Sequence, residues 1–522
     1  MQDQDSTPHL LDLTKSILDP IHGLIRFTEN ETKVINDPVY QRLRKIKQNG
    51  LLHFVFPSAT HTRFEHSLGV LFVADSMLRS LLFNSISSTS KQRITDAANA
   101  TPGQAIDLNT VPRATLKELF RVTRLAALVH DLGHGPFSHT FDRFAPSLDA
   151  VLKMLHGGQL PALSDFEDTF RAYAAKNNHI RAPHEIMSCV FFAHIWQKID
   201  AHDLETPKAI TAAILGETAF GFVGSGLAPW VPLIHDLVAS APADADRMDY
   251  LERDSRSCGV SYGLFDRNRL LKTMLCYKAS NGQYRLGLKS SGFRAVENFI
   301  QARYELFVQV YYHKTNRAIE SMLQHISALA GSTTHNIISE NSLNDLIRDY
   351  VNLGDDIFLD ILRGQGGHKK VDSPAINEIA QQIHDRQLWK RVADSQDNRN
   401  LDASTQESIL QKLKATFPDV TFHLDKIKAA AAKDLNSGAV ILNQDSTGIY
   451  SADQAAKWES YSRIIATLSK TITPEEEKEG KEEEHIRRIY VQTADSSKAK
   501  SIRAALRKDL STPGEAENAE QA

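Results

Sequence analysis

Histidines and acidic residues are concentrated in one short segment of the chain, HDLGHGPFSHTFD at residues 130–142. The apolar run LAALV at 125–129 predicts a helix that leads directly into His130 and Asp131, and the glycines and the proline that follow predict its end. An imidazole beside a carboxylate can bind a divalent metal ion, whereas a buried ionised aspartate without such a partner costs several kcal/mol. The other interpretation of an isolated His-Asp pair is a hydrogen bond at the end of a helix.

Further ligands for such an ion must come from elsewhere in the chain. Side chains of adjacent helical residues point about 100° apart, so His130 and Asp131 share one ion only if other segments contribute to the site. Two segments offer suitable groups. His66, in the motif HTRFEH, stands at the start of an apolar helical face, and Asp246, in DADRMDYLERD, opens a predicted helix.

The elements that would position these groups are mostly helices. Apolar residues recur at intervals of three and four, which is typical of amphipathic helices, over 70–82, 114–130, 185–200, 208–215, 230–240, 294–330 and 342–363. Strand-like alternation is limited to short pieces near 21–28, 283–287, 420–424 and 487–492. The pattern predicts a mainly α protein.

Composition excludes several classes of protein. The 522 residues are 42% hydrophobic, which excludes a collagen-like or wholly disordered chain. The 60 basic and 64 acidic residues give a net charge of −4, so a broad basic surface for nucleic acid or anionic membrane is not expected. An anionic ligand would have to be bound by a local basic cluster.

The cysteines and the N-terminal sequence indicate the cellular compartment of the protein. Three cysteines without a C-x-x-C spacing argue against a disulfide framework and a thiolate zinc site, and favour a reducing environment. The N-terminal MQDQDSTPHLLDLTK lacks the pattern of a signal peptide, and no run of about 18 uncharged apolar residues occurs. We therefore expect a cytoplasmic protein with no membrane partner.

The motifs taken together resemble a known family. In order along the chain they are DPIHGLIRF (19–27), YQRLRKIKQNG (40–50), HTRFEHSLGV (61–70), HDLGHGPFSHTFD (130–142), PHE (183–185), DRMDYLERDS (246–255) and YYHK (311–314). This order resembles that of the HD-domain phosphohydrolases, and in particular the SAM-and-HD-domain dNTP triphosphohydrolases and their bacterial relatives. The resemblance spans roughly residues 15–330, and too few residues precede it to form a SAM domain.

The resemblance implies the residues of a metal and phosphate site. Its metal ligands would be His66, His130, Asp131 and Asp246. They would hold one divalent ion whose identity among Fe, Mn, Zn, Ni and Mg stays open, with additional Mg accompanying a triphosphate. Near the α-phosphate the resemblance places the catalytic histidines His134, His139 and His184, with Asp142 orienting His139. For each of these histidines, a structural hydrogen-bonding role is the alternative.

The resemblance also implies how a nucleotide would be bound. Phosphate contacts would come from Arg63, Arg247, Arg303 and Lys314, and sugar contacts from Gln48, Tyr250, Asp254 and Tyr311. A regulatory site for an activating guanine nucleotide (GTP) or dNTP is implied by Lys15, Gln41 and Arg44. Such a site would lie between subunits of a homo-oligomer, a dimer or a tetramer.

The expected organisation has an HD-domain helical core and a smaller, mixed α/β C-terminal region. We predict an N-terminal arm at 1–14, the HD domain at 15–365 with a polar insertion or loop at 84–112, an accessory region at 375–497, and a disordered tail at 498–522.

The expected reaction is hydrolysis of a dNTP to a deoxynucleoside and triphosphate. One alternative keeps the site and changes the substrate to a dNMP, a cyclic dinucleotide or an alarmone. A second alternative is a protein without catalytic activity that senses nucleotides or binds single-stranded nucleic acid, although the basic groove with interleaved aromatic residues typical of such binding is not evident.

Overall fold

A computed structural model describes the greater part of the chain. The described residues are 10–86, 94–177, 179, 181–224, 226–240, 243–330, 337–367, 369–395, 401, 405–428, 440–444, 450–452, 485–493 and 495–510. They are mostly helical, with mixed sheets, so the predicted mainly α class is confirmed. The chain divides into two compact units. The first contains Met1–Leu306, Thr334–Phe358 and Ala432–Thr467, and the second contains Phe307–Thr333, Leu359–Ala431 and Leu468–Ala522.

The first unit is built around helices. They are α1 (Glu29–Asn36), α2 (Pro38–Gln41), α3 (Arg63–Ile86), α4 (Arg113–Val129), α5 (Leu148–Met154), α6 (Glu167–Lys176), α7 (His184–Ile199), α8 (Glu205–Leu215), α9 (Val231–Ala239), α10 (Ala245–Cys258), α11 (Arg267–Leu271), α12 (Phe293–Leu306) and α14 (Leu343–Asn352). The helix α3 packs against α4 and α10, and α4 also packs against α8 and α9. The buried faces of these helices form the core of the unit.

Local sequence explains where the site-bearing helices begin and end. Thr62 and Glu65 form a capping contact at the start of α3, where the backbone N–H of Thr62 donates to Glu65 Oε2 at 2.8 Å. Asp244 caps α10 by accepting the backbone N–H of Arg247 at 2.8 Å. Gly259, with φ of 70°, ends α10 in the left-handed conformation that glycine adopts without strain. His66 and Asp246 consequently lie in the first turns of their helices.

Two sheets belong to the first unit. A hairpin pairs β1 (Lys15–Asp19) with β2 (Gly23–Phe27). A six-stranded sheet has the order β10-β9-β6-β5-β4-β3 and contains β3 (Thr95–Asp96), β4 (Ala105–Asp107), β5 (Met274–Lys278), β6 (Tyr284–Lys289), β9 (Val440–Gln444) and β10 (Tyr450–Ala452). Its pairs are antiparallel except β3–β4 and β6–β9, which are parallel.

The second unit is a smaller mixed structure. Its elements are α13 (Lys314–Ala330), α16 (Pro374–His384), β7 (Lys390–Asp394), α17 (Gln406–Thr416), β8 (Phe422–Lys428), β11 (His485–Val491) and α18 (Ser496–Leu510), and α15 (Asp355–Leu362) enters it from the first unit. The strands form an antiparallel sheet in the order β7-β11-β8. Buried apolar side chains that include Ile489, Val491 and Ile502 form its core.

The structure differs from the predicted organisation in three places. The tail predicted to be disordered from 498 is helical as far as Leu510, because Ala499, Ile502 and Leu506 give α18 an apolar face that packs in the core of the second unit; residues 511–522 lie outside the described residues. The polar stretch 84–112 contains the last turn of α3 together with β3 and β4, which join the six-stranded sheet. The chain passes between the two units more than once, so a single boundary near 365–375 does not separate them.

Within the described part of the chain, one helix is long and apolar enough to cross a membrane by length and composition alone. Residues Arg63–Ser85 of α3 reach a mean hydropathy of 1.3 over an 18-residue window. In the structure, 67% of that window is buried, as in the core helix of a soluble protein, which passes the same test of length and composition.

Candidate active site

Three helices of the first unit bring four predicted ligands together. His66 comes from the first turn of α3, His130 and Asp131 follow the end of α4, and Asp246 lies in the first turn of α10. His66 Nε2 lies 3.1 Å from Asp246 Oδ1 and 3.5 Å from Asp131 Oδ2. His130 Nε2 lies 3.4 Å from Asp131 Oδ1 and 3.6 Å from Asp246 Oδ1. Ligand atoms about 2.0–2.2 Å from one ion are separated by similar distances.

Both imidazoles turn the same nitrogen toward the centre of this cluster. His130 Nδ1 lies 2.8 Å from the carbonyl oxygen of Ala127, and His66 Nδ1 lies 2.8 Å from Asp249 Oδ2, so each Nδ1 is the ring atom that donates a proton. The two Nε2 atoms are buried and make no hydrogen bond within the described part of the chain. Two such nitrogens facing two carboxylates are a donor set that fits a divalent metal ion.

The pKa shifts of His66 and Asp131 also indicate that the cluster favours a positive charge. Burial lowers the pKa of His66, but the carboxylates of Asp246 and Asp249 act in the opposite direction and raise it to about 10. Burial raises the pKa of Asp131, but Arg63 and His130 outweigh burial and hold this pKa well below its usual range. A metal cation at the cluster would supply the charge that a proton on His66 otherwise supplies.

A cavity of about 430 Å³ opens onto the cluster. Its walls include His130, Asp131 and Asp246 together with polar groups from other elements of the first unit. Among these groups are the predicted substrate residues Gln48, Arg63, Arg247 and Tyr250. The volume lies within the usual range for small-molecule sites.

A second pair of histidines lies beside the cluster. The rings of His134 and His184 stack with centroids 3.7 Å apart, and His134 Nε2 is 3.4 Å from Asp131 Oδ1. Burial, with the positive charges of Arg63 and His184, holds the pKa of His134 well below its usual range. Burial lowers the pKa of His184 too, but Glu185 and Asp142 more than compensate and raise it to about 9. The two rings are thus held in different protonation states near neutral pH.

Asp142, which is predicted to orient His139, also lies near a second histidine. Its carboxylate is 3.5 Å from His184 Nδ1, and its role toward His139 stays a prediction. The backbone of His139 lies in a short 3-10 helix (Ser138–Arg143), and the side chain of His139 is outside the described part of the structure.

The predicted arginines of the first unit are already paired. Arg63 is buried, donates to the Asp131 carboxylate and lies 3.2 Å from Ser138 Oγ. Arg247 donates to Asp244, and Arg303 Nε lies 3.3 Å from the hydroxyl of Tyr250. Each is therefore in a fixed position before any substrate arrives.

The other predicted binding residues are distributed differently. Asp254 is buried and lies 2.6 Å from His61 Nε2, and it does not line the cavity. Tyr311 and Lys314 belong to the second unit. Of the predicted regulatory residues, Arg44 donates to Gln41 Oε1 at 2.9 Å and covers the ring of Phe64, while Lys15 is exposed on β1.

Arg42 was not predicted as a site residue. Its guanidinium is fully buried and donates to the carbonyl oxygens of Leu132 and His134, with the rings of Phe191 and Tyr350 5.4 Å and 5.1 Å away. Arg42 therefore fixes the backbone that follows the His-Asp pair. No sequence signal marked it, because basic residues in YQRLRKIK have the spacing of a solvated helix face.

The chain is similar to several known proteins. Residues 265–471 match the model of the HD associated region. The deoxynucleoside triphosphate triphosphohydrolase SAMHD1 of Gallus gallus is 29% identical over 397 residues, which are 74% of this chain and 57% of that protein. YwfO of Bacillus subtilis is 26% identical over 72% of both chains, and MJ1154 of Methanocaldococcus jannaschii is 28% identical over 72% of this chain and 59% of its own length; both are uncharacterized proteins.

The chain is a distant homologue of the SAMHD1 proteins and of bacterial HD proteins. A crystal structure of a hypothetical protein from Aquifex aeolicus resembles this protein with a TM-score of 0.59, 25% identity and coverage of 94% of this chain and 99% of that one. The chain spans less than two thirds of the length of the MJ1154 and Gallus gallus relatives. Its buried His/Asp cluster is consistent with the divalent metal site typical of HD domains.

Proposed function

We propose that this protein is a metal-dependent phosphohydrolase of the HD type that converts a dNTP to a deoxynucleoside and triphosphate. The observation that carries the proposal is the cavity, in which buried imidazoles and carboxylates lie beside the phosphate-suited guanidinium groups of Arg63 and Arg247. The distant SAMHD1 relatives, named as deoxynucleoside triphosphate triphosphohydrolases, support a nucleotide substrate.

In this proposal His66, His130, Asp131 and Asp246 hold the ion. When bound, the ion acts as a Lewis acid that would polarise a phosphate oxygen and lower the pKa of a water molecule. Guanidinium groups suit phosphate because their planar fork makes two parallel hydrogen bonds. Arg63 and Arg247 bind the phosphates from the cavity wall, and Arg303 supports Tyr250.

His134 and His184 have different roles in the proton transfer of the proposed reaction. The proton of His184, which Glu185 and Asp142 stabilise, is available for the leaving sugar oxygen. The stacked His134 stays neutral and accepts or orients a hydrogen bond. Titratable neighbours with opposite pKa shifts are the usual arrangement of an acid and its partner.

The proposal also includes regulation by assembly. Lys15, Gln41 and Arg44 would bind an activating GTP or dNTP in a homo-oligomer, and the hydrogen bond between Gln41 and Arg44 keeps two of these side chains adjacent. Activity that increases when GTP is added supports this part of the proposal, and activity that is independent of GTP at every protein concentration contradicts it.

The substrate assay is the main test of the proposed reaction. Purified protein is incubated with each dNTP, each NTP and a dNMP, in Mn²⁺ or Mg²⁺, with and without GTP, and the phosphate product is identified. We expect triphosphate and deoxynucleoside from dNTPs. Release of pyrophosphate or orthophosphate contradicts the mechanism, and exclusive turnover of a dNMP, a cyclic dinucleotide or an alarmone selects another HD activity.

The pH profile tests the role of His184. Turnover is expected to fall as pH rises through about 9, because His184 then loses the proton that it must donate. Glu185→Gln removes a negative charge 3.4 Å from His184 Nδ1, which lowers the pKa of His184 and moves this alkaline limb to lower pH. The kcat profiles of both proteins are compared from pH 6 to 10. An alkaline limb at the same pH in both excludes His184 as the acid.

A further inference from the structure

A second layer of hydrogen bonds lies behind His66, on the side away from the metal cluster. His66 Nδ1 is 2.8 Å from Asp249 Oδ2, and both side chains are fully buried. A carboxylate that accepts the second ring N–H of a metal-binding histidine fixes the tautomer and the orientation of that ring. By holding Nδ1 of His66, Asp249 can therefore set the direction in which the Nε2 atom of the same ring points.

Asp249 is itself held on both carboxylate oxygens. Arg253, one turn further along α10, donates from Nε to Oδ2 at 2.9 Å and from Nη2 to Oδ1 at 3.0 Å. His22 Nε2 reaches Oδ1 at 2.5 Å. The carboxylate consequently cannot rotate without breaking its contacts to His66 of α3 and to His22, which lies between β1 and β2.

The contact from His22 comes from the turn between β1 and β2. Asp19 Oδ1 accepts the backbone N–H groups of Ile21 and His22 at 2.9 Å and 2.8 Å, and its Oδ2 accepts Arg253 Nη1 at 2.9 Å. Arg267 Nη1 lies 3.0 Å from His22 Nδ1. Because a guanidinium only donates, His22 accepts at Nδ1 and donates from Nε2 to Asp249.

The backbone of α3 leaves room for this carboxylate only because residue 69 is glycine. A β-carbon at Gly69 would overlap the carboxylate of Asp249 and crowd Arg253 Nη2. Gly69 lies one turn beyond His66 on the same helix. The close approach of α3 to α10 and the orientation of His66 therefore depend on the same small contact region.

We propose that Asp249 is the positioning residue for His66, and that the turn from Asp19 to His22 is, through Asp249, a part of the metal site. The inference rests on the metal site of the proposed function. Asp249 does not line the cavity, so we expect its effect to be exerted through the geometry of His66.

Metal affinity tests this inference directly. The full-length protein is freed of metal with a chelator, and Mn²⁺ binding is measured by calorimetry. Asp249→Asn is expected to weaken Mn²⁺ binding about 10–100-fold, because loss of an outer-shell partner commonly has this effect. The absorption spectrum of the Co²⁺-loaded protein should also change, since it reports the geometry of the ligands.

A matched variant separates this effect from the loss of any buried charge. Asp425 of the second unit is also buried and paired with an arginine, Arg317, so Asp425→Asn should keep wild-type Mn²⁺ affinity. Equal affinity in Asp249→Asn and wild type overturns the positioning role. A wild-type protein that binds no Mn²⁺ or Co²⁺ overturns the metal site itself, and this inference with it.

If Asp249→Asn does not fold, variants of His22 test whether this layer of hydrogen bonds affects metal binding. His22→Ala and His22→Gln both lose the stacking of His22 on Phe72, but glutamine keeps an N–H donor for Asp249. We expect several-fold weaker Mn²⁺ binding in His22→Ala and near wild-type binding in His22→Gln. Equal losses in the two variants assign His22 to packing alone and overturn its place in the metal site.

Discussion

Asp131→Ala is expected to abolish turnover and to reduce bound metal to the background level. Asp131 is the carboxylate shared by the two histidine groups of the site, with oxygens 3.4–3.5 Å from Nε2 of His66, His130 and His134. Its removal takes away one of the two carboxylates, Asp131 and Asp246, that lie beside Nε2 of His66 and His130. It also leaves the buried guanidinium of Arg63 without its carboxylate partner.

The measurement combines metal analysis with the triphosphate assay. Glu31→Gln is the matched control, because Glu31 is a buried acid paired with Arg124 at 2.8 Å and does not line the cavity. Both variants should lose stability, but only Asp131→Ala should lose metal and activity. A folded Asp131→Ala protein with full metal content contradicts the ligand assignment.

Gly133→Ala has the second largest expected effect. A β-carbon at this position would lie 2.5 Å from the backbone nitrogen of Ser188 and 2.7 Å from Met187 Cβ, and it would also overlap the carbonyl oxygen of His184. Backbone at the start of α7 cannot move aside as a flexible side chain can. We expect a loss of about 3 kcal/mol in the free energy of unfolding, at the upper end of typical overpacking costs, together with loss of turnover.

Gly221→Ala is the control for this substitution. Apart from the local backbone of Gly221, no atom of the described residues lies within 4 Å of a β-carbon built there, and the φ of Gly221 is not positive. Denaturant unfolding should place Gly221→Ala close to wild type and Gly133→Ala well below it. Equal stability of the two variants would show that α7 can shift away from the His-Asp segment at little cost.

The site residues that could be predicted from the sequence are those that lie in recognisable motifs. His66, His130, Asp131 and Asp246 lie in ordered motifs. Helical periodicity correctly predicted α3 and α4, and α10 was predicted as the helix that Asp246 opens. Asp249 was missed because nothing in the motif DADRMDYLERD distinguishes it from the neighbouring acids, and only the packing of α10 against α3 brings it to His66. Periodicity describes one helix and not the neighbour against which it packs.

Contacts between distant segments could not be predicted in this way. Arg42 contacts carbonyl oxygens about 90 positions away in the chain, and only the folded backbone brings them within reach. The six-stranded sheet likewise collects short strands from near residues 95, 275 and 440. Each strand alone is too short for a clear alternating pattern, so the sheet was not evident from the sequence.

The position of His66 at the first turn of α3 has a thermodynamic consequence. The same helix supplies the proposed metal ligand His66 at its start and a large part of the buried core along its length. An ion that binds only the folded chain adds about 2.7 kcal/mol to the free energy of unfolding when its free concentration is 100 times its Kd. In the proposed enzyme, the concentration of free metal would therefore set both the rate of turnover and the fraction of molecules that is folded.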